Sequence, residues 1–205
     1  MLHYTAMSGF EAARERLCDP AAQVSSHWLI GRDGTVAQLV DEDRRAWHAG
    51  IGTWGACRDV NSHSIGIELD NPGDAPFAAP LMTALERLLD AIMARHGLPP
   101  EAVIGHSDLA PDRKSDPGAR FDWSRLARSG RSVWPRNAGR EADGTVFREG
   151  LTRFGYDPTL DDQDLLRAFR MRFAPARDGD LTATETAMAA DLGARWPLDG
   201  HWAQG

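Results

Sequence analysis

Lysine is almost missing from this chain. Of 205 residues, 23 are lysine or arginine, and Lys114 is the one lysine among them. Arginine cannot replace lysine where a compact point charge is required or a proton must be lost. Lys114 is therefore a candidate for a functional role, set against chance or a codon bias that spared one site. Cysteine is scarce as well. Cys18 and Cys57 form no CxxC pair and suggest no disulfide framework, which is compatible with a reducing compartment. No apolar run approaches the ~20 residues of a membrane span. Positive charge is not in excess: the net charge of −7 argues against a nucleic-acid partner. Met1-Leu2-His3-Tyr4 has no basic region, apolar core or small-residue cleavage site, so no secretory signal is expected. Internal repeats and low-complexity tracts are absent too.

What is present is an ordinary globular composition, long enough for one large domain or for a medium and a small one. Residues 1–134 alternate between strand and helix patterns. Ser8-Gly9-Phe10-Glu11 reads as a capping box, predicting a helix from Gly9 to Leu17. Val24–Ile30 and Thr35–Val40 flank Asp33-Gly34 and predict a β-hairpin. Ser64–Leu69 reads as a strand that sets Glu68 on the face opposite Ile65, Ile67 and Leu69. Pro80–His96 is an amphipathic helix stopped by Gly97. Ala102–Ile104 reads as a short buried strand, and Asp122–Arg128 as a short helix. Residues 135–144 look like a linker. After it, three helical patterns (145–154, 161–172 and 182–194) have no strand between them, and the charge turns more acidic, with 12 acids against 7 bases over 141–205. The expected fold is α/β, a mixed central sheet flanked by helices over 1–134, followed by a small three-helix domain over 145–205.

Seven histidines are candidates for chemistry. His96 suits a helix C-terminus, and His201 lies in the tail. His106 follows a buried strand and opens a polar loop that runs to Gly118 and holds Asp108, Asp112, Asp116 and the lone lysine. Ten residues allow the chain to bring His106 and Asp116 to one point. His3 sits on another short β-like segment. Two histidines and a carboxylate, with a fourth position left to water, form a catalytic-zinc set. The competing reading is a plain polar loop in which Asp116 caps a turn before Pro117-Gly118.

The order of several segments is specific. His3-Tyr4-Thr5-Ala6-Met7, Val24–Ile30 with Asp33-Gly34, Ala46-Trp47-His48-Ala49-Gly50, Asn61 with Ser64–Glu68, Gly105–Asp108 and Arg113–Gly118 follow one another. Together they resemble the zinc-dependent N-acetylmuramoyl-L-alanine amidases, a bacterial family that includes the phage lysozyme-type enzymes and resembles peptidoglycan recognition proteins. The resemblance covers about residues 3–134. Residues 145–194 more loosely resemble the three-helix peptidoglycan-binding module that follows the catalytic domain in one branch.

The resemblance implies that His3, His106 and Asp116 bind Zn2+, that Glu68 is the catalytic carboxylate, and that Lys114 stabilises developing charge. Phage-type enzymes have a thiolate as third ligand and a tyrosine before the histidine at position 27. Here these are Asp116 and Ser26, so proton transfer falls to Glu68. His27 and His63 are expected to be structural or to support the ligands from behind, since the three-ligand set is already full. Trp47, His48 and Ala49 are expected to line the substrate cleft, and Arg113 to meet stem-peptide carboxylates. The implied reaction is hydrolysis of the amide between N-acetylmuramic acid and L-alanine in peptidoglycan or muropeptides, by a monomer. A non-catalytic peptidoglycan-recognition protein and a zinc peptidase acting within the stem peptide are the alternatives. The lack of a signal favours the cytoplasm, whereas a wall-binding module favours the envelope.

Overall fold

The computed structural model describes residues 1–139 and 141–198, so His201 lies outside the described residues. Four three-residue strands make one mixed sheet: β1 (Leu2–Tyr4), β2 (Trp28–Ile30), β3 (Val36–Gln38) and β4 (Ile67–Leu69), in the order β1-β4-β2-β3. β4 is parallel to both β1 and β2, and β3 is antiparallel to β2. The β2–β3 hairpin turns through Asp33-Gly34 as the sequence predicts, with Gly34 at φ +90°, where a side chain would be strained.

The strands are shorter than their sequence patterns. The chain before β2 leaves the sheet because Ser25 N–H donates to the Trp47 carbonyl, tying that stretch to a loop. The strand expected at Ala102–Ile104 is not formed. Pro100–Ala102 is a single 3₁₀ turn, and what remains is one bridge between Gly105 and Leu2. Pro99 and Pro100 offer no N–H to a ladder, and a helix begins at His106, so the extended stretch has no room to grow.

Helix α1 (Phe10–Cys18) starts at Gly9 with no side-chain cap. The expected capping box fails because Gly9 rather than Ser8 takes the cap position, which leaves Glu11 one place too early; Glu11 pairs with Arg14 at 2.7 Å. α2 (Ala79–His96) buries Leu81, Leu85, Leu88, Leu89 and Ile92 against Leu2, Ile30, Ile67 and Leu69 of the sheet. Each such side chain contributes about 1.5–3 kcal/mol. The helix ends where Gly97 takes φ +62° and returns its N–H to Met93. α3 (His106–Leu109) and α4 (Trp123–Arg128, capped by Asp122) complete this part.

α5 (Gly144–Phe154), α6 (Asp162–Phe173) and α7 (Ala183–Arg195) pack together around Phe147, Leu151, Leu165, Phe169 and Leu192. Asp143, Asp161 and Thr182 cap their N-termini. α6 also packs against α3 and α4. Among the described residues no helix is long and apolar enough to cross a membrane.

Candidate metal centre and active site

The sheet has two chemically different faces. Leu2, Ile30, Ile67 and Leu69 point into the core beneath α2. His3 and Glu68 are register partners on β1 and β4, so their side chains leave the sheet side by side on the other face. The acid that breaks the apolar pattern of β4 is thus set beside a candidate ligand by strand pairing.

His106 opens α3 and Asp116 ends the loop beyond it. His3 Nδ1 lies 3.0 Å from His106 Nδ1 and 2.8 Å from Asp116 Oδ2, and His106 Nδ1 is 3.1 Å from the same oxygen. All three residues are buried. The outer nitrogens admit a set of tautomers that turns both Nδ1 atoms toward the centre as acceptors. His106 Nε2 is 2.9 Å from the Ala49 carbonyl, which can only accept, so in the neutral ring the proton is on Nε2 and Nδ1 presents a lone pair. His3 Nε2 faces His48 Nδ1 at 3.1 Å, and donation in that direction leaves His3 Nδ1 as a second lone pair. Burial lowers the His3 pKa to about 4, against the opposing pull of Asp116, so the ring is neutral at neutral pH. Burial pushes the Asp116 carboxyl up, but the two histidine rings beside it outweigh burial and hold it well below the usual range.

Two lone pairs and a carboxylate converging in a buried space repel one another unless a cation joins them. Tetrahedral zinc with bonds of about 2.0–2.2 Å spaces its ligand atoms roughly 3.3 Å apart. The triangle here is close to that, and each histidine is oriented through its other nitrogen, as metal-binding histidines are. The residues present fit a zinc ion.

A cleft of about 510 Å³ opens over this triangle, lined by His3, Glu68, His106, Lys114 and Asp116 together with Trp47 and with Ala13, Arg16 and Leu17 of α1. Glu68 is partly accessible, yet its Oε2 is buried with no hydrogen-bond partner among the described residues. Burial and the Asp116 charge raise the Glu68 pKa well above normal, and Lys114 opposes them.

The residues expected to meet substrate divide. Trp47 is 53% exposed on the cleft wall, its N–H fixed by Ser25 Oγ. Arg113 lines the cleft while bonding the carbonyls of Ala49 and Ile51. His48 borders the cleft but is buried behind His3, and burial lowers its pKa well below normal. Gly66 permits this position, since a Cβ there would stand 2.4 Å from the His48 ring. Ala49 does not line the cleft: it is fully buried, and its carbonyl steadies His106. Asn61 Oδ1 accepts from the N–H groups of both His48 and Ala49, which holds this turn against the ligands. His27 is structural as expected, with Nδ1 accepting from Gly66 and Nε2 donating to the Arg44 carbonyl. His63 bonds its own turn at Asp59 and stays outside the cluster.

Residues 1–119 match the family described as N-acetylmuramoyl-L-alanine amidase. The chain belongs to this amidase family. It is 36% identical to the N-acetylmuramoyl-L-alanine amidase AmiD of Escherichia coli over 94% of its own length and 80% of the relative's. The 1,6-anhydro-N-acetylmuramyl-L-alanine amidase AmpD of Enterobacter cloacae is 41% identical but matches only 50% of the chain and 55% of AmpD. In structure, AmiD in complex with anhydro-N-acetylmuramic acid-L-Ala-D-γ-Glu-L-Lys superposes with a TM-score of 0.87, covering 95% of this chain and 88% of AmiD. AmpDh3 of Pseudomonas aeruginosa, solved with an anhydromuramic pentapeptide, gives 0.81 at 31% identity over 96% of this chain and 91% of AmpDh3. The likeness to AmiD and AmpDh3 therefore extends through the C-terminal helices.

Sequence reasoning missed two groups at this site. Arg16 on the cleft wall carries no motif. Asp108 lies inside a quoted segment, but its partners Tyr156 and Arg172 are far along the chain, and no local pattern marks them.

Proposed function

We propose that this amidase cleaves anhydromuropeptides at the bond between the muramic lactyl group and L-alanine, with zinc held by His3, His106 and Asp116. The observation that carries the reading is the pairing of Glu68 with His3 in strand register, which puts beside the ligand triangle a carboxylate whose Oε2 has no hydrogen-bond partner among the described residues. The substrate class follows the anhydromuramyl peptides in the two superposing complexes.

His3, His106 and Asp116 would hold the zinc ion, which would supply Lewis acidity toward water and the scissile carbonyl. Glu68 takes the proton of the attacking water and delivers it to the leaving alanine nitrogen. A raised carboxyl pKa suits a group that must hold a proton between two steps. Lys114, on the same cleft, opposes the charge that develops on the carbonyl oxygen. Trp47 offers an exposed apolar face to the ligand, and Arg113 a positive charge to stem-peptide carboxylates. The helices after residue 144 are proposed to hold polymeric wall, which raises the local concentration of scissile bonds.

Mass spectrometry of products from an anhydromuropeptide tests the reaction. A free peptide with N-terminal alanine is expected. A shortened stem peptide would assign a peptidase, and no product would assign a binding protein. Elemental analysis of zinc-loaded protein is expected to give one zinc per chain.

A further inference from the structure

Next to the ligand triangle, and outside the lining of the cleft, lies a second cluster of buried charge. Asp108 of α3 and Arg172 of α6 are each 1% exposed and form an ion pair of 2.6 Å across 64 residues of sequence. The Tyr156 hydroxyl donates to Asp108 Oδ1 at 2.5 Å, and the Gly105 N–H donates to Oδ2 at 2.8 Å. Arg172 Nη2 also donates to the Val103 carbonyl, and the guanidinium lies 4.4 Å from the Trp123 ring centre.

Such a cluster could simply join helices to the sheet. The position of Asp108 in the chain argues for more. Gly105, whose N–H Asp108 holds, bridges to Leu2, the residue before His3. His106 is the next residue after Gly105. Ser107 N–H donates to the backbone carbonyl of Asp116 at 2.8 Å. Of the three candidate ligands, His106 lies within the turn 105–108, Asp116 is one hydrogen bond from it, and His3 follows the residue that bridges to it. A shift of that turn displaces all three donor atoms together. The partners that hold the turn, Tyr156 and Arg172, come from the C-terminal helical region. A planar guanidinium with fixed donor directions specifies one geometry where a flexible ammonium would allow several.

We propose that Asp108, Tyr156 and Arg172 are positioning residues for the metal triangle, so that the C-terminal helices form part of the scaffold of the catalytic centre. This rests on reading His3, His106 and Asp116 as zinc ligands.

The test uses the full chain with Tyr156→Phe, Arg172→Met and, for comparison, Leu192→Ala in the α5–α7 core. Zinc affinity is measured by competition with a chromophoric chelator. The visible spectrum of the cobalt-loaded protein and the melting temperature of the zinc-free protein are recorded alongside. Outer partners of metal ligands typically alter affinity by about 10–100-fold. Tyr156→Phe and Arg172→Met are expected to weaken zinc binding within that range and to change the cobalt spectrum. Leu192→Ala is expected to lower the melting temperature while leaving both metal readouts unchanged. Tyr156→Phe removes one oxygen and keeps the ring that packs on Trp54, so it carries the test if Arg172→Met fails to fold. Zinc affinity within about threefold of the parent and an unaltered cobalt spectrum in Tyr156→Phe would overturn the proposal. So would an equal loss of affinity in Leu192→Ala. If the parent protein itself binds no zinc, the ligand assignment falls, and the proposal with it.

Discussion

In the proposed mechanism Glu68 and Lys114 act most directly on the reacting groups. Glu68→Gln keeps the side-chain shape and removes the base. Because Glu68 is not part of the ligand triangle, the variant is expected to bind zinc as the parent does while kcat falls about 10²–10⁴-fold. A variant within about threefold of the parent would take Glu68 out of the mechanism. Lys114→Arg conserves charge, and at most surface positions it is close to neutral. Here the ammonium shares the cleft with Glu68, and its charge opposes the rise that burial and Asp116 impose on the Glu68 pKa. A guanidinium is broader and carries its charge further from the backbone. We expect kcat to fall by about tenfold or more with an unchanged melting temperature, since an oxyanion is stabilised by donors held within a few tenths of an ångström. Full kcat in Lys114→Arg would mean that the lone lysine is a compositional accident.

Among the elements, the hairpin and α2 are joined by one carboxylate. Glu42, just beyond β3, accepts from Trp28 Nε1 of β2 and from Arg95 and His96 in the last turn of α2. His96 thus does more than suit the helix dipole. Burial raises the Glu42 pKa, but the hydrogen bonds from Arg95, His96 and Trp28 outweigh it and bring the pKa from 4.5 down to about 2. A depressed folded-state pKa contributes stability that is fully present above the unfolded value of 4.5 and is lost as pH falls through the folded value near 2. Urea midpoints of the parent and of Glu42→Gln are therefore expected to differ most at about pH 6 and to converge as the solution is acidified below about pH 4.5. A gap independent of pH would assign the effect to packing alone.

For the whole molecule, the question is whether the two parts of the chain can be separated. The linker-like composition of 135–144 suggests that they can, and the division there remains our proposal. The seam suggests interdependence. Removal of the helices would leave the Asp108 carboxylate without Arg172 and Tyr156, and would uncover Trp123 and Trp54. Deleting one partner of a buried ion pair costs about 3–5 kcal/mol, against a total stability of about 5–15 kcal/mol for a typical domain. A chain ending at Pro135 is expected to melt well below the full protein, measured by circular dichroism, and to bind zinc more weakly. A truncated form with the parent's melting temperature and zinc affinity would show that the seam is dispensable.

Local pattern carried much of this protein in advance. The periodicity of apolar residues located α2 and the three C-terminal helices to within a residue or two, and Asp33-Gly34 located the hairpin. Alternation along β4 put Glu68 on the face away from the core. Those properties depend on neighbours within a turn of helix or along one strand, so the order of residues alone determines them. The loop from His106 to Asp116 was legible for the same reason, since both ends lie within ten residues. The convergence of His3 with His106, 103 residues apart, was one of two readings that the residue types allowed, and the family resemblance chose between them. The structure alone decided the rest. His48 and Ala49 sit behind the ligands because Gly66 and Asn61 draw their turn inward. Arg172 lies in an amphipathic helix, where a charge ordinarily faces water. It is buried because Asp108, from a distant turn, compensates its desolvation, and a pairing of that kind has no signature until the chain has folded.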